Sequence, residues 1–218
     1  MDLPNVRLNC ITTKNYKKDW EWCLIENMKK IKKKALCVFC GSKLGNNSKY
    51  KEAAEELGVQ LAKNKIKLVY GGGSLGLMGE ISDSVHRNNG DVLGVIPKHL
   101  LAIEGVNKNK GEIIITDDMH RRKKTMYDNS DAFLCLPGGI GTLEEVSETI
   151  TWFQLNISRK PIFFLNINGY WDNFRALLKQ FVSQEFAHKD LLNYFVFFES
   201  VDALLPALLN SFEIDSNE

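Results

Sequence analysis

Two glycine-rich turns constrain this chain more than any other feature. One is Gly71-Gly72-Gly73-Ser74-Leu75-Gly76-Leu77-Met78-Gly79; the other is Pro137-Gly138-Gly139-Ile140-Gly141-Thr142-Leu143-Glu144-Glu145. Each follows a short apolar run and opens a helix-like stretch. A strand that turns on glycine into a helix leaves bare backbone N–H groups at the helix N-terminus. Those groups and the helix dipole suit a phosphate. The second turn adds two carboxylates one helical turn inside the cradle. Phosphate donors beside carboxylates point to chemistry on a nucleotide, at its ribose.

The rest of the chain supplies the frame for such turns. Apolar strand candidates at 35–40, 67–70, 92–96, 112–116, 132–136, 161–165 and 194–198 alternate with helix candidates at 48–63, 75–89, 119–129, 140–156, 171–185 and 201–212. Alternation of this kind predicts an α/β fold: a Rossmann-like, doubly wound, mainly parallel sheet with helices on both faces. The strands are continuously apolar, as expected when both faces are covered. Ligands in such folds bind outside the carboxyl ends of the strands, where both glycine turns fall. Residues 98–111 carry Gly, Asn and Lys and read as an irregular loop.

Charge divides the chain. Residues 1–34 hold nine Lys/Arg against four Asp/Glu, although the net charge of all 218 residues is only +1. That segment is expected to be a basic, partly helical arm, with a helix over 20–31. Residues 35–212 form the folded body and 213–218 a tail. A near-neutral total gives no pull toward nucleic acid or membrane. The five cysteines include Cys37-Val38-Phe39-Cys40, which has the spacing of a metal or redox pair. In a strand, however, residues three apart point to opposite faces, so these read as buried small hydrophobes. Without a signal-like apolar core or a transit-like Arg-rich start, the expected location is the cytoplasm.

Gly71 to Gly76 contains a Gly-x-Gly-x-x-Gly string, yet no ribose-gripping acid ends the next strand, where Val95-Ile96-Pro97-Lys98 stands. A Walker Gly-Lys-Ser/Thr string is absent. Four motifs do occur in order: Gly-Gly-Gly-Ser-x-Gly-Leu-Met-Gly at 71–79, Gly-Val-Ile-Pro-Lys at 94–98, Met-His-x-Arg-Lys at 119–123 and Pro-Gly-Gly-x-Gly-Thr-x-x-Glu at 137–145. Together they closely resemble the LOG ("lonely guy") family, over about residues 35–212. The resemblance implies a homodimer that hydrolyses the N-glycosidic bond of cytokinin riboside 5′-monophosphates. The products are a free N6-substituted adenine and D-ribose 5-phosphate. No metal or redox cofactor is implied.

Residue by residue, the resemblance implies catalytic roles for Arg122 and Glu145. It implies substrate contacts for Lys123 beside Arg122, for Glu104 in a lid segment and for Thr151. The nucleotide loop is Gly138, Gly139, Ile140, Gly141, Thr142, Leu143 and Glu144. Gly72 and Gly73 of the first turn join the expected substrate contacts.

The chemistry stands on its own grounds too. Cleaving a ribosyl C1′–N bond builds positive charge on the sugar, as in glycoside hydrolysis, and a carboxylate stabilises it or activates the attacking water. Glu144 and Glu145 are adjacent and about 100° apart on a helix. One can hold ribose hydroxyls while the other works at C1′; Glu145 is assigned the chemistry. Arg122 can hold the 5′-phosphate or assist the leaving base. AMP is an alternative substrate for the same machinery. A non-catalytic nucleotide or cofactor carrier is an alternative class. A pyridoxal-dependent decarboxylase finds no support, because no lysine stands in a recognisable pyridoxal context.

Overall fold

The computed structural model describes residues 33–106 and 111–214. The expected helix over 20–31, Cys10, Cys23 and the last four residues lie outside the described residues. Seven strands, all parallel, form one sheet: β1 (Ala35–Phe39), β2 (Lys67–Tyr70), β3 (Val92–Pro97), β4 (Glu112–Thr116), β5 (Ala132–Cys135), β6 (Ile162–Leu165) and β7 (Phe195–Phe198). Their spatial order is β4-β3-β2-β1-β5-β6-β7. Winding runs one way from β1 to β4 and the other way from β5 to β7. The direction therefore reverses between β1 and β5, which opens a crevice at their carboxyl ends.

The connecting helices are α1 (Ser48–Lys63), α2 (Gly76–Arg87), α3 (Leu101–Glu104), α4 (Met119–Asp128), α5 (Ile140–Gln154), α6 (Asp172–Ser183) and α7 (Val201–Ile214). The central strands β1 and β5 are buried along their whole length, whereas the edge strands β4 and β7 are partly exposed. Two apolar layers cover the sheet. Leu36, Val38, Leu57, Leu68, Ile81 and Leu134 lie in one; Cys37, Val69, Leu93, Phe133, Val146 and Phe164 lie in the other. Cys40 falls in the first layer and Cys37 in the second, so the two thiols of the Cys-x-x-Cys string face apart. Both are free and buried.

Two expectations need correction. Residues 98–111 are not simply irregular: a 3₁₀ turn at Lys98–Leu100 leads directly into α3. Leu100-Leu101-Ala102-Ile103-Glu104 is a run of adequate helix formers, and Gly105, at φ +65°, ends it. Residues 107–110 lie outside the described part. The body also begins before residue 35 and continues past 212. Lys34 accepts a backbone hydrogen bond from Lys67, Lys33 pairs with Asp91, and α7 continues to Ile214. Among the described residues, no helix is long and apolar enough to cross a membrane.

Candidate active site

Arg122 is the centre of the site. It lies in the second turn of α4, whose N-cap Asp118 accepts a hydrogen bond from the Arg121 N–H. That cap fixes where the helix starts and hence which way Arg122 points. The side chain runs inward and is 7% exposed. Its Nε donates to the Val95 carbonyl at 3.1 Å and its Nη2 to the Gly71 carbonyl at 2.9 Å. The guanidinium thus ties the carboxyl ends of β2 and β3 together. Gly71 has to be glycine, because a Cβ there would sit 2.1 Å from Arg122 Nη2.

Two carboxylates flank the guanidinium. Glu145 Oε1, from the second turn of α5, lies 3.9 Å from Nη1, and Glu104 Oε2, from α3, lies 4.0 Å from Nη2. Burial pushes the Glu145 carboxyl up to about 7, with Arg122 acting in the opposite direction and too weakly to cancel it. Glu104 Oε2 is buried and has no hydrogen-bond partner among the described residues. A carboxylate oxygen only accepts, so this one is short of a donor. The Glu104 backbone is anchored to the first glycine turn: its carbonyl accepts from the Ser74 N–H at 3.1 Å and from the Ser74 hydroxyl at 3.3 Å. A Cβ on Gly73 would come 3.2 Å from Glu104 Oε2, and Gly72, at φ +79°, packs on Ile96.

The second glycine turn closes the other side. Pro137 accepts a hydrogen bond from the Gly41 N–H, which ties the turn to the end of β1. Gly139 caps α5 without any side-chain hydrogen bond. The N–H groups of the first turn, on Ile140, Gly141 and Thr142, have no intrahelical acceptor, and the dipole adds positive potential there. Gly138 is glycine for an internal reason, since a Cβ would sit 2.1 Å from Thr142 Oγ1. Gly139 and Gly141 are not: a Cβ on either would meet nothing within 4 Å. Nothing in the chain's own packing calls for glycine at those two positions. Their lack of a Cβ leaves the backbone N–H groups of this turn open to close approach.

The structure brings together Arg122, Glu145, Glu104, Gly72 and Gly73, with Gly138 to Thr142 at the α5 end. Four others turn to other partners or faces. The Lys123 ammonium is held by Glu144 and by Glu148, the latter at 3.1 Å. Burial alone would lower its pKa, but the hydrogen bonds to those two carboxylates hold it raised. Glu144 is half exposed and turned toward Lys123. Leu143, partly buried, packs against the second apolar layer. Thr151 is exposed, its hydroxyl donating to the Ser147 carbonyl, and it lies about 120° around the helix from Glu145. Within one chain it does not reach the Arg122 cluster.

Trp171 belongs to the second apolar layer, and the partly buried Phe153 and Phe174 pack against it. Trp152 instead lines a crevice with Phe39, Tyr127 and Phe133 that Lys123, Glu148 and Glu145 also line. A separate surface recess, formed by Val182 and residues 185–189, contains none of the residues discussed. Sequence reasoning missed the carbonyls of Gly71 and Val95, which carry no residue-type signal. It also missed Met119, whose Sδ is 3.8 Å from Arg122 Nη1.

Comparison with known proteins supplies the family and the fold. The family described as "Possible lysine decarboxylase" matches residues 78–208. The chain is 47% identical over 161 residues to cytokinin riboside 5′-monophosphate phosphoribohydrolase LOG3 of Arabidopsis thaliana, covering 74% of this chain and 75% of that protein. It is 50% identical over 153 residues to LOG1 of the same plant, covering 70% and 72%. A probable enzyme of the same name from Oryza sativa subsp. japonica, LOGL9, is 46% identical over 178 residues, covering 82% and 77%. Among solved structures, the molybdenum cofactor carrier protein of Chlamydomonas reinhardtii superposes with a TM-score of 0.63 at 21% identity, over 83% of this chain and 99% of that one. At that identity the likeness is one of fold.

Proposed function

The chain belongs to the LOG family, and from that premise we propose that it hydrolyses the N-glycosidic bond of cytokinin riboside 5′-monophosphates, releasing free N6-substituted adenine and D-ribose 5-phosphate. The observation that carries the reading is the Glu145 carboxyl, buried beside Arg122 and titrating at about 7. A carboxylate in that range takes a proton efficiently near neutral pH.

The uncapped N-terminus of α5 holds the 5′-phosphate. Glu104 Oε2, which lacks a donor, accepts from a ribose hydroxyl. As the C1′–N bond breaks, its electron pair leaves with the adenine, which takes up a proton from solvent; Glu145 later returns to solvent the proton that it takes from the attacking water. Positive charge develops on the ribosyl C1′ and O4′, and the Glu145 carboxylate stabilises it. Glu145 then accepts a proton from water as the water oxygen bonds to C1′. Arg122 keeps enough of Glu145 ionised for this and holds it in place. Its Nε and Nη2 are bonded to two backbone carbonyls and its charge faces two carboxylates, which favours this role over capture of the phosphate.

We read the enzyme as a cytoplasmic homodimer, with a catalytic body that runs from Lys33 to Ile214. Exposed Leu155 and Ile157, just past α5, support an apolar interface near Thr151, which would bring that residue to a site formed with a second copy.

Chromatographic detection of free base tests the reading. Purified protein is incubated separately with isopentenyladenosine 5′-monophosphate, AMP and isopentenyladenosine, without added metal. Isopentenyladenine is expected from the monophosphate and none from the riboside. Faster adenine release from AMP would make the protein an AMP nucleosidase. Tight nucleotide binding with no base from any of the three would make it a carrier.

A further inference from the structure

The α5 phosphate cradle needs a defined peptide orientation, and one side chain outside the motif sets it. Tyr170 donates a hydrogen bond from its hydroxyl to the Gly138 carbonyl. The residue lies beyond β6, the strand next to β5 in the sheet. Asn166, at the end of β6, is buried; its Oδ1 accepts from the Trp171 N–H at 2.7 Å and its Nδ2 donates to Asp172 and Glu199. Asn168 and Gly169 then both take positive φ, at 52° and 69°. Asn and Gly are the residues that tolerate this conformation, and together they turn the chain so that Tyr170 faces the glycine loop. The Tyr170 ring is braced edge-on by Tyr50 of α1 at 5.6 Å and by Trp171 at 5.1 Å.

We propose that Tyr170 is a positioning residue for phosphate binding, acting through the Gly138–Gly139 peptide. The inference rests on the ribohydrolase reading above. In a planar trans peptide the carbonyl of one residue and the N–H of the next point in opposite directions. Fixing the Gly138 carbonyl toward Tyr170 therefore fixes the Gly139 N–H away from it. Gly139 is the N-cap of α5 and has neither a Cβ nor a side-chain cap hydrogen bond to orient its peptide. Pro137, one residue earlier, has its carbonyl held by Gly41. Two successive carbonyls are thus pulled to neighbouring elements, and the cradle is set before ligand arrives.

Tyr170→Phe removes only the hydroxyl and keeps both ring contacts. Calorimetric titration with ribose 5-phosphate, together with steady-state kinetics on isopentenyladenosine 5′-monophosphate, tests the role. The variant is expected to bind ribose 5-phosphate about fivefold more weakly, the size of one net hydrogen bond. KM should rise by a similar factor, while kcat stays within about twofold. An unchanged dissociation constant overturns the proposal. So does a fall in kcat at unchanged affinity, which would put the hydroxyl on the reacting atoms. Wild-type protein that neither binds ribose 5-phosphate nor releases base would overturn the ribohydrolase reading itself, and the role of Tyr170 with it.

Discussion

Arg122 Nη1 stands 3.9 Å from Glu145 Oε1, farther than a direct hydrogen bond, while the same guanidinium is bonded directly to two backbone carbonyls. The arginine is therefore anchored first to the scaffold and only then offered to the carboxylate. That order has a consequence. A fully engaged ion pair would drive Glu145 well below the usual carboxylate range. The loose pair leaves burial dominant, and the carboxyl titrates at about 7.

Glu145→Gln should stabilise the protein above neutral pH while abolishing turnover. A carboxyl whose pKa is about 7 in the folded protein and near 4.5 unfolded binds more protons when folded across that window. Stability then falls as pH rises from about 4.5 to 7, because the unfolded state ionises first. The glutamine has no charge to bury. The gain should approach about 3 kcal/mol at most by pH 8 and vanish below pH 4. Urea melts of both proteins at pH 4 and pH 8 give the comparison. Equal differences at both pH values would exclude the buried-charge account.

The pH–rate profile should carry the same group. The carboxylate is the working form, so kcat/KM should rise with pH along a limb centred near 7 and then level off. A profile that falls through that range would assign Glu145 as an acid rather than a base.

Much of the frame is legible in the sequence because its causes are local. Strands β2 and β4 and helix α1 span the expected residues, each bounded by polar residues or turn formers. The glycine turns announce the strand ends at which the site forms. What the sequence withholds is tertiary. It leaves Arg122 open between phosphate and leaving base, because its anchors are main-chain carbonyls from strands 27 and 51 residues away. It groups Lys123 with Arg122 by adjacency, yet neighbours on a helix point about 100° apart, and Lys123 turns to Glu144 and Glu148 instead. It reads 98–111 as loop because Gly and Asn dominate the far end, which hides the helical turn that delivers Glu104.

Arg122→Lys should fail despite keeping the charge. A lysine cannot span the Val95 and Gly71 carbonyls with a planar fork. Turnover should drop about 100-fold, in the range set by misplacing a reacting group by an ångström. Arg122→Met should be worse, and any residual activity should have its rising limb shifted above pH 7, since Arg122 lowers the Glu145 pKa more than Lys123 does and that larger effect has gone. Rates across pH for both variants decide this. A limb that stays at 7 in Arg122→Met would mean that Arg122 does not act on Glu145.

Gly141→Ala should separate stability from function. Gly141 lies in the first turn of α5, and an added Cβ would meet nothing within 4 Å. Alanine in place of glycine in a helix is worth about 0.5–1 kcal/mol, so the variant should melt later than wild type. If the 5′-phosphate sits on this turn, the same methyl blocks its approach, and KM for the monophosphate should rise at least about tenfold with little change in fold. Gly71→Ala makes the contrast: its methyl would strike Arg122 Nη2, so stability and activity should fall together. Urea melts and KM for the two variants give the answer. A more stable Gly141→Ala with wild-type KM would move the phosphate away from the α5 N-terminus.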